Sequence, residues 1–275
     1  MDLPLTELQG MGGLPGLEMQ FVMTVLCQIF LASLRIGSFL LASPLFGGSF
    51  IPVQVRIVMG ILLGVSVMGM VDVPPIETLD QMKLIGVIVT EIVIGVSAGL
   101  ILTIWFSAAM LAGEKIATSA GLGYAAQMDP DSGGQTPIVS KMLQMFLIIL
   151  FLSMNGHLLV LRTMMQSYQH LPVGETPHFG VLVEGGIAAA GQMFVAASLI
   201  MLPIGIGMLL INLAIGVMTR SAPQLNLFSF GFPITLISVF LMLYVSVDSI
   251  SFALSDLAVS SMKNLEFVMG KAIYG

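Results

Sequence analysis

An all-α, membrane-associated fold is predicted by three observations: residue usage too apolar for a water-facing globule, apolar runs of membrane-crossing length, and no persistent strand-like alternation. Of the 275 residues, 57% are hydrophobic and only 9% are charged, where a soluble domain carries roughly a quarter charged residues. The mean hydropathy is +1.03. Too little polar surface exists to cover a soluble body, so lipid or partner subunits must cover much of it. Without alternation long enough for barrel strands, helices are left as the way to satisfy the backbone in apolar surroundings.

Six apolar stretches pass the length test of roughly 20 residues per hydrocarbon crossing. They run over 21–43, 51–71, 84–112, 138–161, 187–218 and 227–252. Ahead of them, residues 1–20 carry Asp2, Glu7 and Glu18 but no Lys or Arg. A cleaved secretion signal needs a positive start, so this segment reads as a loose, Gly-rich extension. The first stretch contains Cys27 and, near its middle, Arg35. The second is stopped by Asp72-Val73-Pro74-Pro75 and the third contains Glu91. The longest interruption, 113–137, separates the third from the fourth, which has Lys141 near its start. Leu171-Pro172-Val173-Gly174-Glu175-Thr176-Pro177 is the next stop. Pro203, with Gly205, Gly207 and Gly216, reads as a kink and a close-packing face in the fifth stretch.

The chemistry missing from the chain narrows its function. A formal charge of −6 is spread thinly, and no basic run points to nucleic acid. A lone Cys27 excludes an internal disulfide and a thiolate metal cluster. His157, His170 and His178 do not repeat one helix face, and no acidic residue completes a ligand set, so no metal is expected. His157, in Asn155-Gly156-His157, reads as part of a helix-end polar cluster. No Walker loop, HExxH, or Ser/His or paired-Asp arrangement appears within the apolar stretches. Neither an enzyme nor a cofactor is expected.

Three charges sit inside apolar runs: Arg35, Glu91 and Lys141. A central Arg or Lys costs roughly 2.5–3.5 kcal/mol on insertion scales, so such groups face a bundle interior, a partner or water. Arg35 and Glu91 read equally as a pair or snorkelling groups within a bundle and as functional groups. If the six stretches alternate sides, Lys83, Arg162, Lys263 and Lys271 oppose Arg56, Lys115, Lys141 and Arg220, and the positive-inside rule has no preferred answer. The 113–137 segment is the other oddity. Its small residues leave the backbone mobile, and Leu122, Tyr124 and Met128 put bulk on that frame. It reads either as an exposed loop or as a re-entrant lid or plug, since irregular backbone at membrane depth must be buried or line a cavity.

The ordered string Gly113-Glu114, Gly121, Asp129-Pro130, Asn155-Gly156-His157 and Leu171-Pro172-Val173-Gly174 resembles the FliR family of type III secretion export-gate proteins. The later Arg220-Ser221-Ala222-Pro223-Gln224-Leu225-Asn226 and Gly231-Phe232-Pro233-Ile234-Thr235 resemble it too, so the likeness runs from about Ile29 to Ser255. The resemblance implies a subunit of the flagellar export gate, helical hairpins and kinked helices forming part of a hetero-oligomeric pore in the bacterial inner membrane. It implies FliP and FliQ homologues as co-subunits, an FlhB homologue in contact, and unfolded flagellar proteins as cargo. It implies a FliP-like part over 21–183 and a FliQ-like hairpin with a tail over 184–275. The family's plug maps onto 113–137, here Gly121, Leu122, Gly123, Tyr124, Gln127, Met128, Asp129 and Pro130. Gln127 stands where family members often carry a second aromatic, which implies a looser seal or sealing by neighbouring methionines. Two other readings stand beside this one. A virulence injectisome gate subunit shares the resemblance, and a small-solute transporter would use Arg35 and Glu91 as its embedded site.

Overall fold

The computed structural model describes residues 19–48, 51–71, 73–74, 80–121, 138–222 and 230–274. Every regular element among them is a helix. In chain order they are α1 Met19–Ala42, α2 Val53–Met68, α3 Gln81–Ser119, α4 Ile138–Ser153, α5 Gly156–His170, α6 Phe179–Ser221, α7 Phe232–Val245 and α8 Val247–Tyr274. The all-α expectation holds. By length and composition, three of these helices are able to cross a membrane, or up to five if each of two bent pairs counts as one span.

The six-stretch reading is corrected in three places. The fourth stretch, 138–161, is not one helix: α4 and α5 meet at a 68° bend. Asn155 adopts φ 57°, a left-handed conformation that ends α4. Its N–H donates to the Leu152 carbonyl at 3.0 Å, and its own carbonyl accepts from Leu158 and Leu159 at 3.0 and 3.2 Å, starting α5. The sixth stretch is likewise broken, with α7 and α8 bent by 65° beside Ser246. The third stretch is longer than expected, because α3 runs 39 residues and takes in 113–119, the start of the supposed interruption. Gly113 is a packing residue there and not a breaker, since a Cβ on it would lie 2.4 Å from the Ser140 Cα.

Pro203 lies inside a helix of 43 residues, α6. Of the glycines around it, only Gly207 is closely packed, with Met242 Sδ 2.8 Å from where a Cβ would stand. Gly205 and Gly216 face open space, so the close-packing expectation holds at Gly207 alone. The Leu171–Pro177 stop is non-helical, with Gly174 at φ 99°.

The chain divides into two compact units. The first comprises Met1–Leu100, Leu161–Val183 and Val268–Gly275. Its core is built on α1, where Leu31, Ala32, Ile36, Phe39 and Leu40 are fully buried. Both neighbours of α1 approach through small residues. On α2, a Cβ at Gly64 would stand 2.9 Å from the Ser33 Cα, and one at Gly60 would stand 3.1 Å from the Gly37 Cα. On α3, a Cβ at Gly95 would stand 2.1 Å from the Arg35 carbonyl oxygen, and one at Gly99 would stand 2.6 Å from the Ala42 Cβ. Such spacing lets helix backbones meet where lipid offers no hydrophobic drive to association.

The second unit comprises Ile101–Val160 and Glu184–Phe267. Phe106 of α3 and Phe151 of α4 pack edge to face with centroids 5.2 Å apart, the arrangement aromatic quadrupoles favour. Trp105 satisfies its ring N–H by donating to Asn264 Oδ1 of α8 at 3.2 Å. Asn212 of α6 donates through Nδ2 to the Ser119 carbonyl at 3.0 Å, capping the end of α3.

Candidate functional site

The described polar groups converge most densely in the first unit, around Arg35. This side chain rises from the middle of α1 and is fully buried. Its Nε donates to Glu91 Oε2 at 2.7 Å and its Nη2 to Glu91 Oε1 at 3.0 Å. The pair is therefore bidentate, the geometry in which a planar guanidinium matches a carboxylate best. Glu91, on α3, is also fully buried. The sequence-predicted embedded charges Arg35 and Glu91 are thus brought together as one ion pair.

Helix α5 completes the cage. Arg35 Nη1 donates to Ser167 Oγ at 3.1 Å, and Ser167 Oγ itself donates to the Met164 carbonyl at 2.6 Å. Arg35 Nη2 also donates to the Leu171 carbonyl at 3.0 Å, just beyond the end of α5. The Tyr168 ring lies beneath the guanidinium, 4.2 Å from its Cζ, and its hydroxyl donates to the Ala32 carbonyl at 2.8 Å. One cation thereby meets a carboxylate, a hydroxyl, a backbone carbonyl and an aromatic face.

Sequence spacing explains why these groups meet. Glu91, Gly95 and Gly99 recur every four residues and share one face of α3. The two glycines bring the α1 backbone close enough for the short Glu91 side chain to reach Arg35. Gly95 and Gly99 were missed in the sequence, though their four-residue recurrence after Glu91 is a signal that could have found them. Ser167 and Tyr168 carried no such signal, because nothing local in α5 marks them as partners of a residue more than a hundred positions earlier.

What this arrangement does is hold three helices together. A fully buried, bidentate pair presents no exposed group to a substrate, and its removal one partner at a time leaves an uncompensated charge. Lys141 sits elsewhere, exposed on α4 in the second unit, and Pro203 is exposed on α6. Of the plug residues, Gly121 is described and takes φ 76°, a conformation natural to glycine. Leu122, Gly123, Tyr124, Gln127, Met128, Asp129 and Pro130 lie outside the described residues. Arg56, seen in the sequence only as a charge near one end of a stretch, is itself buried in the first unit.

A family model described as bacterial export proteins, family 1, matches residues 26–259, which run from within α1 to near the middle of α8. The chain is 34% identical to the flagellar biosynthetic protein FliR of Pectobacterium carotovorum subsp. carotovorum over 211 residues, 76% of this chain and 80% of that protein. It is 29% identical to FliR of Bacillus subtilis (strain 168) over 246 residues, covering 87% of this chain and 95% of that one. FliR of Escherichia coli (strain K12) is 28% identical over 203 residues, 74% of this chain and 77% of the relative. The embedded pair, its glycine-lined approach and the broken helices all fall within the matched span, and the chain belongs to the FliR family of bacterial export proteins.

Proposed function

We propose that this chain is a subunit of the flagellar type III protein export gate, forming part of the conduit for unfolded flagellar proteins and supplying its plug. The observation that carries the reading is the family match over 26–259 in a chain whose apolar helices remain largely exposed. Surface of that kind needs covering by other protein or by lipid. In this reading FliP and FliQ homologues cover it in a hetero-oligomer, with an FlhB homologue in contact, in the bacterial inner membrane at the flagellar basal body. The division near Glu184 into a FliP-like part and a FliQ-like hairpin belongs to the same reading.

The Gly-rich segment that follows α3 is the plug, with Gly121 turning the chain out of the helix and Leu122, Tyr124 and Met128 filling the pore. The gate acts by steric closure and by exchange of plug contacts for cargo contacts. Cargo opens it only through a higher affinity for the open state. Deleting residues 121–128 in the co-expressed complex is expected to raise small-ion conductance in planar bilayers while leaving the complex intact on size-exclusion chromatography. Unchanged conductance in an intact complex sinks the plug assignment. Loss of swimming after deletion of this chain, restored by the full-length gene, separates the flagellar role from an injectisome role.

A further inference from the structure

The first unit holds a second buried cation that the helix-clamping pair does not use. Arg56 stands in the first turn of α2 and is only 9% exposed. Its Nη2 donates to the Ile51 carbonyl at 2.7 Å and to the Gly48 carbonyl, which fixes the guanidinium. Its Nε–H is buried without an acceptor. Among the described residues, no carboxylate lies within ion-pairing distance of it. A buried guanidinium lacking a counter-charge is costly, and more so in a chain of this apolarity.

The helix end makes the same demand. Helix α2 begins after Pro52 with no side-chain cap, and its first turn holds no acidic residue. Its first N–H groups and the positive end of its dipole therefore coincide with a cation, where an anion belongs. Arg56 also lines a groove of about 580 Å³. The rest of that groove is largely apolar, with Leu34, Gly37, Leu41, Ile57, Ile61 and Val96 along it.

An apolar groove with one cationic end matches an amphiphile with one anionic end. We propose that the groove between α1, α2 and α3 binds an anionic phospholipid. The phosphate pairs with the Arg56 guanidinium at the cationic end of the groove, and an acyl chain lies along Leu34, Leu41, Ile57 and Val96. A free phosphate shares the headgroup chemistry but leaves the groove unfilled. The site is independent of the export-gate reading.

The test reconstitutes the full chain into nanodiscs of phosphatidylcholine and phosphatidylglycerol, re-extracts it and measures retained lipid by native mass spectrometry. Wild type is expected to retain phosphatidylglycerol in preference to phosphatidylcholine. Arg56→Gln is expected to lower that retention about tenfold, the scale of a lost charge-assisted hydrogen bond. Ile57→Trp, which fills the groove and leaves Arg56 in place, is expected to lower it too. Equal retention of the two lipids by wild type overturns the proposal, as does full retention by Arg56→Gln. If inorganic phosphate displaces the bound species and Ile57→Trp has no effect, the ligand is a free anion and the lipid assignment fails. Should Arg56→Gln not fold, the wild-type lipid preference and Ile57→Trp decide the matter alone.

Discussion

At the scale of single residues, Arg35 shows how an apolar chain tolerates a full charge in its core. Each nitrogen of its guanidinium donates to an acceptor, and the ring of Tyr168 lies against one face. The free energy of such a pair is dominated by what is left behind when half of it is removed. Arg35→Met or Glu91→Leu alone is expected to destabilise the chain by about 3–5 kcal/mol, because each strands one buried charge. The double variant Arg35→Met with Glu91→Leu is expected to recover most of that loss, since two apolar side chains of similar size replace the pair. Unfolding by detergent titration of all four forms closes the cycle. Additive losses would show that the pair is not the unit of stability.

At the scale of elements, glycine decides which helices touch. A Cβ on Gly95 would stand 2.0 Å from Ser38 Oγ, whereas one on Gly37 would meet nothing within 4 Å. Gly95→Ala is therefore expected to cost about 1–3 kcal/mol through overpacking. Gly37→Ala is expected to be neutral or stabilising by about 0.5–1 kcal/mol, the helix propensity gain alone. Thermal unfolding of both variants in one detergent compares them, and equal effects would refute the close α1–α3 approach. The same elements show how far the sequence reaches. Apolar run length located most helices, because burial and span length act on composition alone. The break between α4 and α5 was half legible: Asn155-Gly156-His157 stood out as a helix-end cluster, yet the apolar run continues past it to Leu161. The break at Ser246 carries no Gly or Pro, and Asp248 in the first turn of α8 is its one local mark. Gly113 misled, because a glycine that ends a helix and a glycine that packs one look alike until the opposing Ser140 is in place. The charge cage was legible in its two ionic members and silent in Ser167 and Tyr168, whose role depends on tertiary placement.

At the scale of the whole molecule, the question is what covers the apolar exterior. On α6, Leu199, Leu209 and Leu213 are each about two-thirds exposed. Lipid alone would satisfy them, but a chain held only by lipid normally carries more Lys and Arg on one side. Here the nine Lys and Arg residues are spread from Arg35 to Lys271 with no cluster that marks one side. Dispersion and close packing against other helices supply an alternative cover, and the methionines, 22 in all, suit a surface that must conform to non-identical neighbours. Photo-reactive side chains placed singly at Leu199 and Leu213, which share one face of α6, separate the two covers. In cells co-expressing the FliP and FliQ homologues, both positions are expected to give protein adducts of defined mass. In the chain expressed alone, the same positions are expected to label lipid. Lipid adducts under both conditions would place this face against the bilayer and leave the hetero-oligomer to be held by other surfaces.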